Sequence, residues 1–411
     1  MNRRVVITGM GAVTPLGNDK DTFWSSIKNG VCGIAPITAF DTANHKVKIA
    51  AEVEIDSDSV VPPAEARKMD RSTLLGVIAA DEALRNSGIN PDNADMTRCG
   101  VISASGIGGL STMEREHSRG LEKGFDRISP YFIPMVIPNM TAGRISINSG
   151  FLGYSASVVT ACAGGTNAIG DAARMIRHGY ADVMMAGGAE AVVTPLAMGG
   201  FTSMKALTEN NDPCRASIPF DSERSGFVMG EGAGMLMLEE LEHALCRGAK
   251  IYAEISGYGA TGDAYHITAP EPSGMGAARA MSLALADAGF NPEEIDYINA
   301  HGTSTPLNDK CETLAIKEVF GKYAVQVPVS STKSMTGHLL GAAGAIEAIV
   351  CAFSVGEGFL PANINYRIPD PECDLNIVAN QGRAATVSHA MSNSLGFGGH
   401  NASLIISRYH K

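Results

Sequence analysis

Ala83-Leu-Arg-Asn-Ser-Gly-Ile-Asn-Pro91 and Ala284-Leu-Ala-Asp-Ala-Gly-Phe-Asn-Pro292 share five residues in nine, among them the glycine and proline that stop a helix. Upstream of each, in the same order, Ile7-Thr-Gly-Met-Gly-Ala12 matches Ile255-Ser-Gly-Tyr-Gly-Ala260. Generic strand–turn and helix-stop chemistry also writes such patterns. Their shared order points to an internal duplication: two similar α/β halves, residues 1–250 and 251–411, with extra loops in the first. Strand and helix signals alternate in both halves, which predicts mixed or parallel sheets covered by helices.

Outward from these anchors the elements follow. Val5–Gly11 reads as a buried strand ending in Gly-Met-Gly. Thr14 stands where a dinucleotide fingerprint needs its third glycine, so no such site is assigned. Ser72–Asn86 is helical, and Gly100–Ser105 is a strand opening into the loop Gly106-Ile-Gly-Gly109. Pro130–Pro138, with three prolines, reads as a packed loop, neither helix nor central strand. Ala181–Ala186 reads as a strand ending at Gly187-Gly188, and Leu339–Val355 as a helix.

Bulk properties narrow the class. The chain has 411 residues, enough for two or three folding units, with 45% hydrophobic and 18% charged residues. That composition builds a large core. A formal charge of −11 argues against nucleic acid, which wants a basic face. The eight cysteines form no Cys-x-x-Cys pair, and no secretory h-region opens the chain, so reduced thiols in the cytoplasm are expected. Ile145–Gly170 is long and uncharged but broken by Ser, Asn, Thr and Gly and too polar to span a bilayer, and no membrane association is expected.

The chemistry gathers at element ends. In Val158-Val-Thr-Ala-Cys-Ala-Gly-Gly-Thr-Asn-Ala-Ile-Gly-Asp171 a β-branched run ends at Cys162, and two glycines lead into a helical pattern. This lifts a thiol onto a helix N-terminus, where the dipole favours thiolate. Free cysteines are also commonly small buried residues. Three segments of the second half place further polar groups at strand or helix ends. They are Ile298–Thr305 with His301, Pro328–His338 with Lys333 and His338, and Met391–His400 with Phe397 between glycines. One thiol and two imidazoles supply a nucleophile and two donors for a developing oxyanion. A Cys/His/His zinc site is the other chemistry open to them, but they lack zinc-type local spacing, and no metal is expected.

Four motifs together resemble the signature set of β-ketoacyl-[acyl-carrier-protein] synthases. They are Thr160-Ala-Cys-Ala163, His301-Gly-Thr-Ser-Thr-Pro306, Lys333-Ser-Met-Thr-Gly-His338 and Ser394-Leu-Gly-Phe-Gly-Gly-His-Asn401. The resemblance runs from Arg4 to the C-terminal strand. The second histidine places it with the elongating types, and Gly262-Asp-Ala-Tyr-His-Ile-Thr268 looks most like type II.

The resemblance implies a thiolase-like fold of five layers, α-β-α-β-α, built from two related halves, and a homodimer. Cys162 would accept an acyl group from an acyl carrier protein, and malonyl thioester would then lose CO2 and condense with it. It implies His301 and His338 as oxyanion donors, Lys333 as a positioning charge supported by Glu347, and an oxyanion hole of backbone N–H groups at Cys162 and Phe397. Thr303, Thr305 and Thr268 would meet the phosphopantetheine-borne substrate. Ile107 and Phe397 would gate the acyl pocket, which Phe201 lines and Phe132 reaches from the dimer partner. Arg67, Lys68, Arg71, Arg127 and Lys205 would dock the acidic carrier protein. No cofactor is implied beyond the carrier's phosphopantetheine.

Within the same chemistry a type I enzyme or a type II polyketide ketosynthase subunit is the alternative. A thiolase would want a second catalytic cysteine near the C-terminus, and a chain-length partner subunit would lack the nucleophile. One departure stands out: Gly164 occupies a position where the family usually has threonine, which is expected to loosen the nucleophile turn or widen the pocket.

Overall fold

The computed structural model describes residues 3–55 and 61–410. Five strands build the first half: β1 (Val5–Val13), β2 (Cys99–Ala104), β3 (Ser155–Val158), β4 (Val183–Glu190) and β5 (Gly232–Glu240). Six build the second: β6 (Ala253–Gly262), β7 (Tyr297–Asn299), β8 (Pro328–Ser330), β9 (Asn376–Ile377), β10 (His389–Gly396) and β11 (His400–Ser407).

The first half-sheet runs β1-β5-β4-β2-β3 and the second β6-β11-β10-β7-β8, extended by β9. Each starts with two antiparallel pairings and continues with two parallel ones, so the two halves have the same topology. Only Val6 opposite Glu254 and Ile7 opposite Ala253 join them into one eleven-stranded sheet.

Five helices fill the three helical layers: α1 (Arg71–Ser87), α2 (Gly164–Arg177), α3 (Met275–Ala288), α4 (Pro306–Phe320) and α5 (Ala343–Glu357). Helix α1, joined by the shorter helix Met140–Ser149, covers the outside of the first half-sheet, and α3 and α4 cover the outside of the second. Helices α2 and α5 lie between the half-sheets in the main apolar core. This is the five-layer thiolase-like α/β fold. The stretch Leu340–Glu357 is long and apolar enough to cross a membrane, and 89% of it is buried in this middle layer.

The sequence echo has a packing cause. A Cβ at Gly9 or Gly11 would overlap the carbonyl oxygens of Ala83 or Ala79 on α1. A Cβ at Gly257 or Gly259 would overlap those of Ala284 or Ala280 on α3. The first strand of each half thus lies so close to its outer helix that only glycine fits at two positions. Both strands also bulge at the residue before the first glycine of the pair, at Thr8 in β1 and Ser256 in β6. Both outer helices end on a left-handed glycine, Gly88 with φ +69° and Gly289 with φ +73°.

Two local expectations are corrected. Pro130–Pro138 contains a short helix, Phe132–Val136, because Pro134 sits in its first turn, where its missing N–H costs nothing. Strand β4 does not stop at Gly187-Gly188 but continues to Glu190, since β5 pairs with it throughout.

Candidate active site

Strand β3 delivers the chain to a tight turn at Thr160, and Ala161 takes a left-handed conformation at φ +48°. Cys162 follows in a single 3₁₀ turn, Ala161–Ala163, that runs directly into α2. A Cβ at Gly396, in the facing β10, would come within 2.7 Å of the Thr160 carbonyl, so the Phe397 loop seats closely on this turn. The backbone N–H groups of Phe397 and of Cys162 itself lie close enough to the sulfur to favour its thiolate form. The expected thiolate is not the resting form. Burial pushes the Cys162 thiol up to about 12, outweighing Lys333 and the two amides, with Glu190 adding to the rise.

Cys162, His301 and His338 line one cavity of about 430 Å³. His301 follows β7, and the turn it starts is held by a buried carboxylate: Glu312 of α4 accepts the N–H groups of His301 and Gly302, each at 2.8 Å. His338 precedes the turn into α5, its own N–H bonded to the Val228 carbonyl at 2.8 Å. The rings lie 5.3 Å apart and nearly perpendicular. Burial first, then the Lys333 charge, holds both imidazoles well below their ordinary pKa, so both are neutral and each has one N–H to donate. Their Nδ1 atoms are buried without a hydrogen-bond partner among the described residues.

Lys333 is buried beneath the rings, its ammonium paired with Glu347 of α5. Burial pushes Glu347 up to about 7, with Lys333 pulling against it. Phe397, Phe201, Phe227 and His338 form a wall of aromatic contacts at 6.5, 5.6 and 5.2 Å between successive centroids. Thr303, Thr305 and Thr268 line the same cavity, the first two with hydroxyls 2.9 Å apart.

Other expected positions lie elsewhere. Ile107 is 37% exposed on the loop after β2 and does not line the cavity. Nor does Phe132, half-buried on its short helix. Arg67, Arg127 and Lys205 are exposed, and Lys205 reaches the cavity rim. Lys68 pairs with Glu65 at 2.6 Å. Arg71 is also engaged: its guanidinium, on a side chain 37% exposed, donates to Glu231 at 2.6 and 2.9 Å and to the Val53 carbonyl at 2.7 Å. The widened pocket expected at Gly164 is corrected. A Cβ there would face Ala104, at 3.0 Å, and Gly341, in the packed interior rather than the cavity.

Two buried acids escaped the sequence reading. Glu312 is one, pushed up to about 7 by burial. Glu190, at the end of β4, is the other. It accepts the Ser105 hydroxyl at 2.9 Å and the N–H groups of Gly106 and Gly341 at 2.5 and 3.0 Å, tying the Ile107 loop to the start of α5. Their one signal in the sequence is an acid inside a buried element, and that burial is visible only after folding. Among the described residues no group of His, Cys, Asp or Glu is arranged to hold a metal.

The comparisons agree with this geometry. Residues 2–244 match the model of the β-ketoacyl synthase N-terminal domain, and residues 252–367 that of its C-terminal domain. The chain belongs to the β-ketoacyl synthase family. It is 50% identical over 409 residues to 3-oxoacyl-[acyl-carrier-protein] synthase 2 of Staphylococcus aureus strain N315, covering 99% of both chains. Against the Synechocystis protein of the same name it is 51% identical over 411 residues, covering 99% of this chain and 98% of that one. Among solved structures, the ishigamide ketosynthase/chain length factor superposes with a TM-score of 0.93 at 36% identity, covering 100% of both chains. A type II polyketide acyl carrier protein in complex with its ketosynthase gives 0.92 at 34%, again over 100% of both chains. A β-ketoacyl synthase from Burkholderia phymatum gives 0.91 at 36%, over 99% of this chain and 100% of that one.

Proposed function

We propose that this acyltransferase catalyses the decarboxylative condensation of an acyl-enzyme with malonyl-[acyl-carrier-protein], giving 3-oxoacyl-[acyl-carrier-protein] and CO2 in type II fatty-acid elongation. The observation that carries the reading is one cavity lined by the Cys162 thiol, the Phe397 loop and two neutral imidazoles.

The steps follow from these groups. In acyl transfer, Cys162 Sγ bonds to the acyl carbonyl carbon and the carrier arm leaves as its thiol, taking the proton the cysteine gives up. The N–H groups of Phe397 and Cys162 hold the oxyanion between. In decarboxylation the carboxylate departs as CO2 and the electron pair moves onto the thioester enolate, whose oxygen takes hydrogen bonds from the neutral rings of His301 and His338. A neutral donor suits this step, because a ring near its ordinary pKa would be partly an acid and would trap the carbanion by protonation. The carbanion then attacks the acyl carbon and expels Cys162 as its thiolate, which takes a proton from water to return to the resting thiol. Lys333, paired with Glu347, adds its charge to burial in keeping both rings neutral and does not meet substrate.

Residues 1–250 form the half that supplies the nucleophile, and residues 251–411 the half that supplies both histidines. Thr303, Thr305 and Thr268 hold the phosphopantetheine-borne chain, and Phe201 and Phe397 border the acyl pocket. Arg67, Lys68, Arg127 and Lys205 meet the acidic carrier protein, the partner of this reading. The reaction draws its driving force from CO2 loss and calls for no other cofactor. A homodimer is supported by β3, an edge strand with a single neighbour, and by exposed Leu152, Tyr154 and Val159 flanking it, with Phe132 entering from the partner. The setting is cytoplasmic.

Intact-mass measurement after mixing with acyl carrier proteins bearing C4 to C16 chains tests the reading. One acyl adduct on Cys162 is expected, together with its loss and retained malonyl decarboxylation in Cys162→Ala. An adduct mapping to another residue refutes it.

A further inference from the structure

The turn that carries Cys162 is bent at two successive residues: Thr160 sits at φ −127°, ψ 41°, and Ala161, a non-glycine, at φ +48°. A left-handed alanine is strained and persists only where its surroundings hold it. A side-chain hydrogen bond anchors the turn. Thr160 Oγ1 donates to Asn167 Oδ1 at 2.7 Å, one helical turn into α2. Asn167 Nδ2 in turn donates to Tyr258 Oη at 2.7 Å.

Tyr258 belongs to the other half. It lies in β6 between Gly257 and Gly259 and is 2% exposed. The Asp171 carboxylate lies near its hydroxyl, and the Arg174 guanidinium lies 4.4 Å from its ring centroid. A Cβ at Gly170 would overlap the ring, so the phenol lies flat against α2 at a helix position left bare for it. In the duplicated strand β1 the matching residue is Met10, which carries no hydroxyl. The polar version occurs on the strand whose ring faces the nucleophile's helix.

Cys162 and the Phe397 loop must keep their mutual placement, since Gly396 seats closely on the Thr160 carbonyl and the Cys162 amide. A shift of the backbone at Thr160 and Ala161 would carry the Cys162 amide and sulfur away from that loop. We propose that Tyr258 is a positioning residue for acyl transfer, its phenol locking Asn167 and through it Thr160, so that the second half of the chain sets the geometry of the nucleophile in the first. The inference rests on the acyl-transfer function proposed above.

The test measures two rates on folded protein: acylation of Cys162 from acyl carrier protein by quenched intact mass, and malonyl-[acyl-carrier-protein] decarboxylation. Tyr258→Phe and Thr160→Val are each expected to slow acylation on the order of 10- to 100-fold, the range set by small misplacements of a reacting atom. Decarboxylation, which uses the histidines, is expected to hold its wild-type rate. Because both changes break one chain of bonds, the double variant is expected to be no slower than the worse single one. Thr160→Ser, which keeps the hydroxyl, is expected to restore acylation. Wild-type acylation in Tyr258→Phe overturns the proposal, as does an equal loss of both rates or a double variant whose losses multiply. If Tyr258→Phe does not fold, the Thr160 pair alone decides, since Thr160→Val slowing both rates equally overturns it too. Failure of the wild type to acylate at all would refute the functional reading instead.

Discussion

The two halves build the same device twice and use it differently. In the first, β3 leads through left-handed Ala161 into a 3₁₀ turn and α2, and the residue after Ala161 is Cys162. In the second, the chain after β8 leads through left-handed Leu340, φ +45°, into the 3₁₀ turn Leu340–Ala342 and α5, and the residue after Leu340 is Gly341. A Cβ at Gly341 would overlap the Gly106 amide, and Glu190 binds both amides. One copy of the turn therefore presents a nucleophile, and the other closes against the loop beside it. The second half gains its chemistry just upstream, where the segment before its turn carries Lys333 and His338. Duplication supplied two helix-start turns facing one cavity, and side-chain choice made one the nucleophile and the other its support.

The sharpest way to break this division of labour is at the second half's donors. His301→Ala or His338→Ala is expected to lower malonyl decarboxylation on the order of 10²- to 10³-fold while leaving acylation of Cys162 measurable. Wild-type decarboxylation in either variant would remove the donor role.

The equivalence of the scaffolds is tested at the glycines. Gly9→Ala and Gly257→Ala each force a methyl into a helix carbonyl and should each cost about 1–3 kcal/mol in urea denaturation. If one strand yields freely and the other does not, the two copies have lost their structural equivalence.

A smaller effect is expected from pH. The folded protein keeps His301 and His338 neutral well below the ordinary histidine pKa of about 6.5, whereas the unfolded chain protonates them there. Between those values the unfolded state binds more protons, so this contribution is whole above pH 6.5 and is lost as pH falls below it. Glu312 and Glu347, raised to about 7, act oppositely between their ordinary pKa and 7. The histidine share is therefore read as the difference between wild type and a His301→Asn/His338→Asn variant, and equal acid slopes in the two would refute it. The least effect on the chemistry is expected from Gly164→Thr, which meets Ala104 rather than the cavity. It should cost about 1–3 kcal/mol of stability, as added bulk in a packed interior does, and leave the acyl chain lengths that load unchanged.

Much of this was legible in the chain. The strand–glycine–helix punctuation located β1, α1 and α2 to within a few residues, and the echo of Ile7–Ala12 in Ile255–Ala260 recorded the two close strand–helix contacts. Cys162, His301, Lys333, His338 and Phe397 were recognisable because each sits at an element end, where short polar motifs survive in an apolar context. What was not legible depends on burial and on distant partners. Glu190 and Glu312 look like ordinary acids until their surroundings exclude water. Arg71 looks like a surface cation until Glu231, 160 residues away, claims it. The Cys162 thiol looked activated from its helix position alone, and only the enclosed cavity reverses that balance.

The narrow seam between β1 and β6 bears on how the molecule comes apart. Two residue pairs of strand contact cannot hold two half-sheets together, so the cohesion resides in α2 and α5, each of which touches strands of both halves. Removing either half would strip one face from the helix it leaves behind and expose its apolar side chains to water. The halves therefore share a single free-energy barrier to melting, and the duplicated chain should denature as one cooperative unit.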